Sequence, residues 1–182
     1  MRKGFNKGFS LIELLLVLAV ATGVVAATFY VYGKVQAHNR VNRATHDLAS
    51  ISKAMNAILT TRPTIAEANT MLTSSKALPS SMLDKTGSFV NAYGGKLTIT
   101  PHNGSDDFYD VSYYNVPPDA CIELVSASRA IYRTITNTSY SPKITAASGV
   151  SDIASFCSGF TSSSSVMVFT DAAWHSPGRG LF

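Results

Sequence analysis

The chain has 182 residues, of which 46% are hydrophobic and only 14% charged. That balance excludes intrinsic disorder and fits one ordinary domain with a further segment attached. The net charge of +4 is unevenly placed. Arg2, Lys3 and Lys7 lie in the first eight residues, the stretch 34–62 holds five basic residues against Asp47, and from Pro63 onward nine acidic residues face seven basic ones. No basic, aromatic-interleaved surface of the kind that binds nucleic acid emerges, so nucleic acid is not an expected partner.

From Phe9 to Gly33 the only charge is Glu13, and Leu14–Gly33 is a 20-residue run with none. As a helix, that run is long enough to cross a hydrocarbon core of ~30 Å. Basic residues before it favour a cytoplasmic N-terminus, although Lys34, Arg40 and Arg43 follow it. Three readings are open. The segment is a signal peptide cut after Ala19-Val20-Ala21, or a plain single-span anchor, or a helix in which Glu13 has a purpose. A carboxylate inside an apolar run costs ~2.5–3.5 kcal/mol on insertion scales, and neither of the first two readings has a use for it. No Lys or Arg stands between Lys7 and Lys34. A partner for Glu13 would therefore be a chain terminus or another subunit.

Lys7-Gly8-Phe9-Ser10-Leu11-Ile12-Glu13, followed by an uninterrupted apolar helix, resembles the type III signal of type IV prepilins: a basic leader, Gly before the scissile bond, Phe after it and Glu at the fifth mature position. The resemblance implies that a membrane-embedded aspartyl prepilin peptidase cuts between Gly8 and Phe9 on the cytoplasmic side and N-methylates Phe9. It implies a leader at 1–8, an N-terminal helix at 9–62 (9–33 in the membrane or filament core, 34–62 amphipathic) and a globular head at 63–182. Glu13 would pair with the Phe9 ammonium of a neighbouring subunit. The implied fold is α+β, a long helical spine packed on an antiparallel sheet, with a disulfide closing the C-terminal region.

The residue chemistry agrees with this assignment. Gly8 offers the least hindrance to an extended backbone in a protease cleft. Cleavage creates the missing cation as an α-ammonium. Glu13 lies four residues beyond Phe9, one helical turn away, so both groups share a face and a depth. Pairing between staggered subunits removes both charges from lipid and sets the axial offset.

Beyond Lys34, Val41, Ala44, Leu48, Ile51, Met55 and Ile58 recur at steps of three and four, with Arg40, Arg43, Asp47 and Lys53 off the stripe. This predicts a helix face packed on its own domain rather than a coiled-coil seam. Arg62-Pro63 ends the run. A helix from Phe9 to Thr61 is ~80 Å long, too long for a compact domain, so its first half is expected to enter lipid or other subunits. Ala21-Thr22-Gly23 has the weakest helix propensity in the apolar half and is the place where the helix could stretch within a filament.

Thr64-Ile65-Ala66-Glu67 matches a capping box and predicts a short helix to about Leu72. A surface loop is expected to Asn91. Lys96–Thr100 and Phe108–Tyr114 read as a hairpin around the turn-rich 102–107. Pro117-Pro118-Asp119 opens a helix expected to reach Tyr132. The stretch 134–165, with 15 Ser/Thr in 32 residues, predicts irregular exposed surface with one or two short strands, and Val166–Thr170 a buried strand. Trp174 is expected in a core or interface.

Ala92-Tyr93-Gly94-Gly95, the two hairpin strands and Asn115-Val116-Pro117-Pro118-Asp119-Ala120-Cys121 are similar to the head of type IVb pilins, the branch found on enteric adhesion pili and plasmid-encoded conjugative thin pili. The eight-residue leader and Phe9 are more typical of type IVa pilins, whereas Tyr30 stands where those carry a helix-kinking proline. Cys121 and Cys157 lie 36 positions apart. In an exported chain they suit one disulfide, contributing about 4 kcal/mol by loop entropy; in a reducing compartment they would be buried thiols. The family uses such a bridge to close its C-terminal region around the sheet edge.

The implied function is that of a major pilin, a structural subunit that passes from an inner-membrane pool into an extracellular filament of a Gram-negative bacterium, for adhesion, aggregation or conjugative contact. The implied partners are further copies of itself, prepilin peptidase, an assembly ATPase and platform, and a secretin. The alternatives are a minor pilin or type II secretion pseudopilin, or a membrane-anchored binding domain in which Glu13 is incidental. No enzyme, metal or cofactor is expected. His38, His46, His102 and His175 lack ligand spacing, Asp106, Asp107 and Asp110 suit a solvated turn better than a cation site, and Asn103-Gly104-Ser105 and Asn137-Thr138-Ser139 are weak glycosylation matches.

Overall fold

The computed structural model of this chain describes residues 10–61, 63–138, 142–160 and 165–173. They form two units, one ending at His38 and the other starting at Asn39. A single helix, α1 (Leu11–Leu59), runs through both.

In the first unit every residue from Ser10 to His38 is exposed. The backbone amides of Glu13 and Leu14 donate to the Ser10 carbonyl at 3.0 and 3.2 Å, starting the first turn. The hydroxyls within the apolar run are satisfied by the helix itself: Thr22 donates to the Ala19 carbonyl at 3.0 Å and Thr28 to that of Val25 at 2.7 Å. Such back-bonding lets a hydroxyl sit in an apolar surrounding without an outside partner.

In the second unit the predicted stripe becomes core. Val41, Ala44, Leu48, Ile51, Met55 and Leu59 are buried, so the sixth contact is Leu59, while Ile58 is only partly covered. Asp47, expected off the stripe, is buried too. It lies three residues after Ala44 and four before Ile51, so it shares their helical face where the covered strip is wider than one row.

Leu59 is the last helical residue before Pro63. Helix α2 (Ile65–Ser74) opens on the predicted box: Glu67 N–H donates to Thr64 Oγ1 at 3.2 Å and Thr64 N–H to Glu67 Oε2 at 2.9 Å. Asp106 Oδ1 accepts from the Ile65 amide at 3.0 Å, tying this helix start to the hairpin. The stretch to Asn91 is less superficial than its composition suggests, because Leu78, Met82 and Phe89 are buried.

Strands β1 (Leu97–His102) and β2 (Ser105–Tyr113) form the hairpin. Its turn is only Asn103-Gly104, both at positive φ (51° and 75°), the primed geometry that Asn-Gly favours. Strand β4 (Met167–Ala172) pairs with β2 on one side and with β3 (Thr134–Asn137) on the other, giving an antiparallel sheet of order β1-β2-β4-β3. Pro101 lies in the edge strand, where a missing N–H is tolerated. One row across the sheet, Ile99, Val111, Phe169 and Ile135, is wholly apolar and joins the core formed with α1.

Helix α3 (Pro118–Ser128) ends four residues earlier than predicted, because Tyr132 turns inward, its hydroxyl donating to the Leu48 carbonyl of α1 at 2.9 Å and its ring lying 5.3 Å from that of Phe169. Over 134–165 the expected short strand is present as β3, but the expected exposed, irregular surface is not what the rest of the stretch forms. That stretch contains β3 and a further helix, α4 (Val150–Ser158), and buries Ile135, Ile144, Ile153, Phe156 and Phe160. The Ser/Thr content occupies the outer face of α4 and conceals its apolar one. Cys121 of α3 and Cys157 of α4 are joined as a disulfide, Cα to Cα 5.7 Å.

Candidate functional site

Two surfaces carry chemistry that a soluble, self-contained domain does not need. The first is the apolar half of α1. Leu11, Ile12, Leu14, Leu15, Leu16, Val17, Leu18, Val20, Val24 and Val25 are all exposed, and they occupy every side of the helix. A helix hydrophobic all round is stable only when something covers all of it. The run has the length and hydropathy to cross a membrane. Glu13 lies in its first turn, where the helix dipole favours a negative charge, and it too is exposed. Gly8 and Phe9, expected to be the processing and methylation positions, lie outside the described residues.

Near the far end of this run the surface changes. Tyr30 and Tyr32 are exposed, Lys34 Nζ lies 5.0 Å from the centre of the Tyr30 ring, and Gln36 donates to the Tyr32 hydroxyl at 2.9 Å. Tyrosines with a lysine just beyond an apolar run match the composition of a membrane–water boundary.

The second surface is the head, and the side chains that hold it in shape are polar. Asn91 organises the turn at Ala92-Tyr93-Gly94-Gly95. Its Oδ1 accepts from the amides of Tyr93 and Gly95, each at 2.9 Å, and its Nδ2 donates to the Tyr114 carbonyl at 2.6 Å. A Cβ on Gly95 would sit 2.2 Å from the Tyr114 oxygen, so this backbone crossing requires glycine there. The motif noted in the sequence is thus a loop sewn to the end of β2. Its organising residue, Asn91, just precedes the motif and is missed by it; an Asn three residues before a Gly-Gly pair is the available signal.

Asp47 is held in a more costly place. Burial raises its carboxyl to about 6, with the positive charges of Arg43 and His46 partly offsetting the effect. Asp171, also buried, accepts at Oδ2 from Tyr109 and Ser52 at 3.4 and 3.5 Å. Burial and the neighbouring Asp171 push the Tyr109 hydroxyl well above its usual range. These groups link α1 to the centre of the sheet.

The three aspartates weighed as a cation site do not converge. Asp106 caps α2, Asp107 accepts from the Ser105 hydroxyl at 2.9 Å, and Asp110 is bonded by His102 at 2.9 Å and Thr170 at 2.6 Å. Asn103 is at the hairpin tip and Asn137 ends β3. Trp174 and His175 lie outside the described residues, and His46 is exposed.

Residues 38–171 match a protein family described as PilS N terminal. Over 129 residues the chain is 29% identical to the major structural subunit of bundle-forming pilus from Escherichia coli O127:H6 (strain E2348/69, EPEC), covering 69% of this chain and 67% of that protein. The corresponding subunit from E. coli O111:H- matches equally. The fold is similar to that of the type IVb pilin from Salmonella typhi (TM-score 0.53, 15% identity, 70% of this chain and 97% of that one). It is similar also to TcpA, a type IV pilin from Vibrio cholerae El Tor biotype (TM-score 0.52, 14% identity, 74% and 99%). The family match starts at residue 38, so it owes nothing to the motif around Gly8 and Glu13. Two separate parts of the chain point the same way.

Proposed function

The chain belongs to the PilS family and has the fold of type IVb pilins, and from that premise we propose that it is the major structural subunit of a type IV pilus, polymerising through its N-terminal helix. The observation that carries this reading is α1 itself, apolar and uncovered on every side over its first half and built into a folded head over its second. Its role is structural rather than enzymatic.

In this reading residues 1–8 are a cytoplasmic leader, prepilin peptidase cuts after Gly8 and methylates Phe9, residues 9–62 are the spine and 63–182 the head. The subunit waits in the inner membrane of a Gram-negative cell, then joins an extracellular filament through an assembly ATPase, a platform and a secretin. Transfer of an apolar helix from lipid to a helical bundle gains little by itself. The pair between Glu13 and the Phe9 ammonium of the next subunit supplies register.

The intact mass of protein from membranes or sheared filaments tests the processing. A chain starting at Phe9, one methyl heavier and two hydrogens lighter for the disulfide, is the expected result. A mass starting at Met1 removes the processing step, and one starting at Thr22 makes the segment a signal peptide. Dominance of this chain in sheared filaments, rather than traces of it, separates a major from a minor subunit. Glu13→Val is expected to insert and be processed normally, yet to lower filament yield at least ~10-fold, in keeping with the cost of an unpaired ammonium in an apolar core; normal filaments would refute the role given to Glu13.

A further inference from the structure

The sheet has a second face, opposite the apolar row that joins the core. One row across all four strands reads Thr100, Asp110, Thr170 and Thr134. Asp110, Thr134, Thr136 and Thr170 are each less than a tenth exposed. Such a set of hydroxyls and a carboxylate is unusual for a sheet interior. They line, or lie under, a cavity of about 420 Å³, within the size range of small-molecule sites.

Three observations define what the cavity would take. First, Thr136 is 3% exposed, lines the cavity, and its hydroxyl has no hydrogen-bond partner; an orphaned buried hydroxyl calls for an occupant that bonds it. Second, the rim is cationic. The Arg133 guanidinium lies 5.5 Å from the centre of the Phe108 ring, and both Arg133 and Lys143 line the cavity. Among the described residues no carboxylate lies within ion-pair distance of either. Third, Asp110 is already committed to His102 and Thr170, so the groups this row offers to ligand hydroxyls are the threonine oxygens of Thr134 and Thr170, both of which line the cavity.

The backbone narrows the ligand class. Strands β2 and β4 are paired on both sides, so their ladder N–H and C=O groups are spent, and an extended peptide cannot add to them. Recognition must come from side chains on the face. A partly exposed phenyl ring, threonine hydroxyls, an Asn103 amide and a guanidinium together suit a small, rigid, polyhydroxylated ring that bears an acid.

We propose that this face of the head binds a carboxylate-bearing sugar. The carboxylate lies against Arg133 and Lys143, the ring packs over Phe108, and its hydroxyls bond Thr136 and the Asp110 row. This ligand-binding role does not depend on how the chain polymerises.

The test uses the full chain solubilised in detergent, so that filament formation does not enter. N-acetylneuraminic acid and glucuronic acid are titrated by ligand-observed NMR beside galactose and acetate. The expected result is saturable binding of at least one acidic sugar, with galactose and acetate weaker by about tenfold or more. Arg133→Gln, at an exposed position, should weaken that binding about tenfold with an unchanged melting temperature. Thr136→Val removes only the orphaned hydroxyl, so it should leave or raise the melting temperature while weakening the sugar several-fold. Equal binding of galactose overturns the acidic recognition, and equal binding of acetate reduces the site to an adventitious anion only. Acidic-sugar binding unaffected by both substitutions places it elsewhere and overturns the assignment, as does no binding of either acid.

Discussion

Leu11–His38 and Val41–Leu59 are parts of one uninterrupted helix, yet they answer to different solvents. In the first part every residue is uncovered, and as far as Gly33 all sides are apolar apart from Glu13; in the second a strip is covered, and Arg43, His46 and Lys53 remain outside it. Backbone hydrogen bonding is the same in both. What separates them is where the hydrophobic free energy is collected: within the subunit for the second part, and only in lipid or against other copies for the first. Stability and assembly are thereby placed on different residues of one element.

Paired substitutions can break this division. Leu48→Ala, at a fully buried site, is expected to destabilise the head by about 3–5 kcal/mol, from lost transfer energy and the cavity left behind. Leu18→Ala, at a site that is 53% exposed, should leave the melting temperature of the detergent-solubilised subunit within a degree or two, and its effect should appear in filament yield. Equal losses of melting temperature for both would show that the two parts are not energetically separate. Next in size is the bridge between α3 and α4. Replacing Cys121 and Cys157 together by Ser should cost about 2–4 kcal/mol by loop entropy, measured by denaturant unfolding, and should leave the insertion of the apolar half untouched.

The same comparison explains what was legible in the sequence. Signals carried by neighbouring residues could be read directly: the stop at Arg62-Pro63, the Thr64–Glu67 box, the Asn103-Gly104 turn within a broader predicted loop, and the apolar run. Signals that depend on distant partners could not. Nothing local places β4 between β2 and β3, since that pairing is decided by Val111, Phe169 and Ile135 meeting across long sequence separations. Helix α4 was hidden because Ser and Thr, weak helix formers, outnumber Ile153 and Phe156 in the window that would reveal its period. The apolar pattern leaves Asp47 off the stripe, whereas the width of the covered strip decides its burial. Glu13 is exposed in the first turn of α1, and the partner proposed for it belongs to another subunit, which no local signal in one chain displays.

Asp47 supplies the next prediction, on the buried half of the helix. Its carboxyl, raised by burial to about 6 from an ordinary 3.8, is favoured in the protonated form by the folded head. A group raised in this way lends its full stability below the unfolded value. It loses that stability as pH climbs through the folded one. The native head should therefore weaken between about pH 4 and pH 6. Asp47→Asn, which has no charge to bury, should be nearly equal in stability at pH 4. At pH 7 it should be more stable by on the order of 2 kcal/mol. Melting temperatures of the two proteins across that range check this; curves that stay parallel would mean that Asp47 carries its charge without penalty.

The smallest effect belongs to the exposed half. At Gly23 an added methyl would meet no atom within 4 Å, so Gly23→Ala should be harmless to the subunit. It should raise local helix propensity by about 1 kcal/mol, visible as slightly higher helicity in detergent. In the subunit α1 passes through Ala21-Thr22-Gly23 without a break, and Thr22 returns its hydroxyl to the Ala19 carbonyl, which holds that turn together. If filaments stretch there, the same methyl opposes them, and Gly23→Ala filaments should extend less under a pulling force. A filament map with unbroken helix through Gly23, joined to unchanged extensibility, would remove the triplet from assembly and leave it as a tolerated weak spot. That outcome would also put the run from Leu14 to Gly33 under one rule, apolar contact alone, with Glu13 standing just before it.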